Sequence, residues 1–334
     1  MTPINQLIKD KKFLIQMAGV LLFFCLPQIL AALMEAGLLN QSRYWLGVLN
    51  QIGIYALLAL SLNIILGQAG MFHMWHAAFF AIGAYTTAIL NTVYGWSIFA
   101  TLPLAGLTAG LFAMAVASPI IHLRGDYLLV VTIGIVEIVR IALVNDIFGL
   151  TGGANGIFGI SRPVFFGIRL NKPQHYFYLI WGFTAISMLL FHWLEHSRFG
   201  RALNFIREDA VAAEGIGVNT THYKLMAFVI GAVWAGFAGT FYASQMTTIS
   251  PGSFNFWESV ILFTIVILGG SGNQKGVLLG AFLVAGLPEL FRGLQSSRLL
   301  FFGAALVLMM IFRPQGLLPP KGHAYHLPPE AMLK

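Results

Sequence analysis

The chain has 334 residues, of which 58% are hydrophobic and 9% charged, with a formal net charge of +7. A soluble domain carries about 25% charged residues, so the composition excludes a soluble globular protein and indicates an integral membrane protein. The positive balance does not indicate nucleic acid, because the cations sit at the ends of apolar runs with no compact basic cluster between aromatics.

Apolar runs of about twenty residues favour helices, since lipid requires every backbone polar group to be paired internally. The short alternating segments of a membrane barrel do not occur. The expected fold is all-α, a polytopic transmembrane helical bundle of about ten spans, some of them broken by glycine. Lys9, Lys11 and Lys12 precede a first span from Phe13 to about Leu33, too long for the apolar core of a signal peptide and without a cleavage site. Cys25, the single cysteine, lies in that run and has no partner for an internal disulfide, so a packing role is expected. A second span covers about Trp45–Leu66. Gly67 to Gly70 then breaks the helix, and a third span covers Met71–Leu90 with His73 and His76. The fourth runs from Trp96 to Ile121, and the fifth from Tyr127 to Ile147.

A longer loop, Phe148–His175, contains the turn sequence TGGANG with Asn155, and a sixth span covers Tyr176–Trp193. A polar connector follows at 197–224. Spans at Leu225–Gln245, Phe256–Leu268, Val277–Phe291 and Leu299–Phe312 complete the bundle, with Gly269, Gly270 and Gly272 breaking the chain between the eighth and ninth. Residues 1–312 thus form one membrane domain. Residues 313–334 form a proline-rich polar tail, expected to be loosely ordered and on the cytoplasmic side. With both termini in the cytoplasm, twelve Lys and Arg fall inside and six outside, in the sense of the positive-inside rule.

The connector, SRFGRALNFIREDAVAAEGIGVNTTHYK, is the longest strongly charged run between apolar spans. Phe199, Ala202, Leu203, Ile206, Ala210 and Ala213 recur at three- and four-residue steps, which predicts an amphipathic helix. Gly215 and Gly217 supply its stop. From spacing alone, such a helix either rests on lipid headgroups or docks on a protein.

Few residues offer chemistry. Glu137 and Arg140 lie three apart within the fifth span, so they share a helix face and can pair across one turn. They read either as an ion pair stitching the bundle or, with Asn155, as polar lining of a pathway. His73 and His76 lack a third ligand nearby, so no metal site is expected. Glu258, at the start of the eighth span, is expected at the membrane interface. No P-loop is present. The glycine breaks free backbone groups at half-helix ends, and such segments are tolerated against protein or a water-filled cavity.

Several stretches together resemble the permeases of bacterial branched-chain amino acid ABC importers, of the second of the two permease types in such systems. They are GQAGMFHMWHAAFFAIGAY at 67–85, LRGDYLLVVTIGIVEIVR at 123–140, TGGANGI at 151–157 and SRFGRALNFIREDAVAAEGIGVN at 197–219. YKLMAFVIGAVWAGFAGTFYA at 223–243, SPGSFNFWESVILFTIVILGGSGNQKGVLLGA at 250–281 and RPQGLL at 313–318 complete the set. The resemblance implies an inner-membrane, multi-pass subunit that is not itself an enzyme and binds no cofactor, ATP and Mg being used by partner subunits. It implies a heterodimer with a second permease, two cytoplasmic ATPases and a periplasmic binding protein that delivers leucine, isoleucine or valine. It also implies that Arg207, Glu208, Asp209, Glu214 and Gly217 dock on an ATPase, although A-A-E-G-I-G replaces the common E-A-A-x-x-x-G pattern. Competing readings are a permease for urea or short amides, an ion-coupled transporter using Glu137, and a membrane subunit that lines no pathway.

Overall fold

The computed structural model describes residues 23–28, 42–123, 125–146, 149–165, 167–290, 303–304, 307, 311–313 and 315–319. The expected first and tenth spans lie mostly outside them. Helix α1, Ser42–Asn63, continues through a π-helical turn at Ile64–Gln68. Helix α2, His76–Thr92, starts five residues later than the apolar run suggested. The reason is Gly70, whose φ of +67° turns the chain out of helix, so that residues 70–75 are not helical. Neighbouring helices satisfy the amides this leaves over: Met74 N donates to Thr132 Oγ1 at 3.1 Å and Ala77 N to Ser259 Oγ at 3.0 Å. Irregular backbone at this depth is stable only with such partners.

Helices α3 (Ile98–Ile120), α4 (Asp126–Val144) and α5 (Pro173–His196) follow the expected fourth to sixth spans within a few residues. The connector holds α6 (Arg198–Glu208) and α7 (Ala210–Gly215). It is shorter than expected, because α8 already begins at Thr220 and runs to Met246. Helices α9 (Phe256–Gly269), α10 (Gln274–Ala281) and α11 (Leu287–Leu290) follow, the last two joined by a π turn at Phe282–Gly286. Among the described residues, six helical stretches are long and apolar enough to cross a membrane; α2 and the α10–α11 run are not among them.

The core of the bundle is the contact of α8 with α2 and α3, made through small residues. A Cβ at Gly83 would lie 2.4 Å from the Gly236 Cα, and one at Gly236 would lie 2.4 Å from the Ala105 carbonyl oxygen. Ala105, Ala109, Ala113 and Ala117 repeat at four-residue steps on the buried face of α3. Close backbone approach supplies in lipid the dispersion contact that larger side chains supply in water. Helix α1 packs on α5 through Trp181, whose Nε1 donates to the Leu49 carbonyl at 3.2 Å.

The loop at 149–172 is not purely irregular, and the all-α reading misses it. A 3-10 turn at Gly153–Asn155 leads into β1 (Ile157–Phe158), antiparallel to β4 (Thr248–Ile249), and β2 (Val164–Phe165) pairs with β3 (Ile168–Arg169). This loop and residues 247–255 lie on one face of the bundle, and the connector and both glycine breaks on the other.

Candidate functional site

The site grows from residues far apart in sequence. Ser197 caps α6, accepting from Gly200 N at 3.3 Å, while a Cβ at Gly200 would come 2.3 Å from the Glu195 carbonyl oxygen. The chain therefore folds tightly from the end of α5 into the connector. Ala202, Leu203 and Ile206 of α6 and Ala213 of α7 are buried, so one apolar face spans two helices. Asp209 separates them: its carboxylate accepts from Val211 N at 2.8 Å and Ala212 N at 3.0 Å, capping α7 and drawing the backbone out of helix. At the far end Gly217 N donates to Glu214 O at 2.9 Å and Val218 N to Ala213 O at 3.0 Å, with Gly217 at φ +88°. This is a Schellman stop. Glu214 accepts from the Thr220 hydroxyl, tying α7 to the start of α8.

Arg207 points the other way, into the bundle. Its Nη1 donates to the Gly67 carbonyl at 2.6 Å, in the π turn that ends α1, and a Cβ at Gly70 would meet the Arg207 Cγ at 3.0 Å. The two glycine breaks also touch each other. Gly272 N donates to Asn63 Oδ1 at 2.8 Å, and a Cβ at Gly67 would lie 2.4 Å from Gly272 N. The chain at 315–319 then closes over the second break: Leu317 N donates to Leu268 O at 2.9 Å and Leu318 N to Gly269 O at 3.1 Å, with Asn273 Nδ2 on the Leu318 carbonyl at 3.0 Å. A Cβ at Gly270 would fall 2.3 Å from the Leu318 carbonyl oxygen. The start of the tail is thus ordered by backbone pairing, against the expectation of a loose segment.

Arg207, Gly67, Gly70, Gly269, Gly270 and Gly272 therefore belong to one junction. A cleft of about 390 Å³ opens beside it, between Gly70, the start of α4 and the connector. Glu208 is exposed and, with Val211, lines the rim of that cleft. Beside it stand Phe205, Val211 and Ile216, all exposed, Ile216 by 71%. Sequence reasoning missed these three. Their signal was an apolar residue off the buried stripe of an otherwise polar segment.

Glu137 and Arg140 do pair, Nε to Oε2 at 2.8 Å, but on a face of α4 left 35% and 36% exposed, with no other described helix joined through them. Among the described residues the pair closes on its own helix. Asn155 is exposed in the 3-10 turn outside the bundle, because the positive φ of Gly152, Gly153 and Gly156 curls that loop against Ile249. It does not share a site with Glu137. His73 and His76 are buried, yet not on one helix, since His73 precedes α2. Ser61 Oγ already donates to Leu58 O at 2.7 Å, so its 2.8 Å contact with His76 makes Nε2 the donor. Glu258 is half-buried within hydrogen-bonding reach of the Tyr55 hydroxyl. Cys25 is exposed, not packed.

In the loop at 149–172, Thr151 donates to Asp146 Oδ1 from its amide at 2.7 Å and its hydroxyl at 2.8 Å. These bonds hold the Asp146 carboxyl below the usual aspartate range.

A bundle of membrane-crossing helices, two of them interrupted by glycine and joined at one face to an amphipathic connector, defines a multi-pass transport-type membrane protein. The chain matches the family described as "Branched-chain amino acid transport system / permease component" over residues 44–312, and it belongs to that family. It is 39% identical over 289 residues to the high-affinity branched-chain amino acid transport system permease protein LivM of Salmonella typhimurium, covering 80% of this chain and 68% of that protein. Identity to the LivM of Escherichia coli K12 is the same over the same coverage. The permease protein BraD of Pseudomonas aeruginosa is 28% identical over 79% of this chain and 91% of its own length. No solved structure matches.

Proposed function

We propose that the chain is one membrane subunit of an ABC importer for branched-chain amino acids in a bacterial inner membrane. A second permease completes the pathway, a periplasmic protein delivers the solute, and two ATPases drive the cycle from the connector face, which this reading puts in the cytoplasm. The relatives' names support the solute class. LivH, a second permease type named for the same transport, is 26% identical over 79% of this chain, which supports a pair of related subunits.

The observation that carries the coupling is the Arg207 bond to Gly67. Through it, a push on α6 and α7 reaches the end of α1 directly and, through Asn63 and Gly272, the end of α9. Two packings of similar free energy would then be exchanged by moving broken helix ends rather than whole spans, with partner state choosing between them. The exposed residues Phe205, Glu208, Val211 and Ile216 form the face that an ATPase cleft would take.

Two variants separate docking from transmission. Val211→Asp with Ile216→Asp abolishes co-purification of the ATPases. Arg207→Ala keeps them bound but lowers leucine uptake about tenfold, leaving ATP hydrolysis uncoupled. Reversal of charge at Arg207 and Glu208 together combines both defects. Unaltered coupled uptake in Arg207→Ala removes the transmission role, and retained ATPases in the double aspartate variant remove the docking face. Labelled urea serves as the control solute, and uptake of urea without leucine would overturn the solute class.

A further inference from the structure

The last turn of α5 carries His192, Glu195 and His196, an H-x-x-E-H pattern that the coupling reading does not use. One ligand atom from each lies within 4.8 Å of the other two, and the imidazole centroids are 4.3 Å apart. Both histidines are exposed, so an ion reaches them without opening the bundle. Residues four apart on a helix face the same way, and two histidines at that spacing with a nearby carboxylate form a facial donor set.

Two features prepare the set. His196 Nδ1 lies 2.8 Å from the His192 carbonyl, which can only accept, so Nδ1 carries the proton and Nε2 presents its lone pair outward. Metal-binding histidines are commonly oriented by such a bond on the other ring nitrogen. Behind the turn, Gln274 of α10 seats its amide on the Met188 carbonyl and His192 amide at 3.0 Å each. The reverse amide orientation leaves only a 3.4 Å contact to Glu195 Oε2, so the first is preferred.

We propose that His192, Glu195 and His196 bind a zinc-class divalent cation at the connector face. Two imidazoles and one carboxylate suit zinc, cobalt or nickel; magnesium and calcium favour all-oxygen sets. A tetrahedral ion with bonds of about 2.1 Å holds its donors about 3.4 Å apart, so donor shifts of no more than about 1.4 Å close the site and leave a fourth position for water. A cation there also faces the negative end of the α5 dipole. Arg201 Nη1 donates to the His196 carbonyl at 2.9 Å, so occupancy pins the turn from which the chain bends into α6.

The test uses the full chain purified without a histidine tag and stripped with a chelator. Equilibrium dialysis should show one more zinc ion per chain in the wild type than in His192→Ala with His196→Ala, and Glu195→Gln should weaken that ion at least tenfold. Cobalt should give visible bands of a tetrahedral site in the wild type that zinc bleaches and the double variant lacks. Because both histidines are exposed, metal-free thermal unfolding of the double histidine variant should match the wild type. Equal zinc stoichiometry in wild type and double variant overturns the proposal. So does loss of the ion from a His323→Ala, His326→Ala variant instead, which would assign it to the tail.

Discussion

Helices α1 and α4 are both strongly apolar, with mean hydropathy of 1.8 and 2.3 over their best windows, yet 78% of the first window is buried inside the chain and only 17% of the second. Hydropathy measures fitness for the membrane and says nothing about neighbours. Helix α1 is enclosed by α5, α8, α9 and α10; Asn50 Nδ2, Ser61 and Asn63 have protein partners, although Asn50 Oδ1 and Gln51 Oε1 are buried without a hydrogen bond. Helix α4 exposes Tyr127, Val130, Ile138 and Ile141 and carries the one ion pair among the described residues. An ion pair facing hydrocarbon costs several kcal/mol. The open side of α4 is therefore expected to meet protein or water in a membrane, whereas α1 is enclosed by helices of its own chain.

The strongest way to sharpen this contrast uses glycine. Gly83→Val drives a side chain into Gly236 where no space exists, and the loss should be on the order of 3 kcal/mol, read as lost monodisperse protein and a lower midpoint in detergent. Gly134→Val in α4 meets nothing within 4 Å, so the isolated chain should unfold within about 0.5 kcal/mol of the wild type. A large loss at Gly134 would mean that α4 is enclosed after all.

A smaller effect should come from the ion pair. In detergent, where the pair is wetted, Glu137→Gln and Arg140→Gln should each change stability by less than about 1 kcal/mol, with a coupling of about 0.5 kcal/mol in a double-mutant cycle. In the assembled membrane each single variant should be worse than the double, because each leaves one charge unpaired. Additive behaviour there would show that the two do not act as a pair.

The smallest effect is local. Asp146→Asn should speed amide exchange at Thr151 without moving the global transition. The folded-state pKa of Asp146 is depressed, so its contribution is present above the ordinary aspartate pKa and is lost as pH falls through the lower folded value. Protection of Thr151 should accordingly hold at neutral pH and fade only in acid. Fading near neutral pH would contradict the assignment.

Periodicity found α3, α5 and α8 nearly end to end, because a helix in lipid must bond to itself whatever surrounds it. It placed α2 too early, since Met71–Trp75 is largely apolar but Met74 is held by Thr132, 58 positions away, and Ala77 at the start of α2 by Ser259, 182 positions away. Arg207 and Asp209 were legible as members of the polar connector. Their actual partners were not: one reaches a carbonyl 140 residues away, the other caps a helix that the stripe treats as continuous.

Composition and local pattern by themselves determined that this chain lives in a membrane as helices, that glycine interrupts two of them, and that one polar segment stands apart. Each of those follows from interactions within a few residues. Only the tertiary structure decided that Gly67, Gly272, Arg207 and the QGLL stretch meet at one place, and that α1 is enclosed while α4 is open. Those outcomes depend on which backbone can approach which, and distance along the chain carries no record of that.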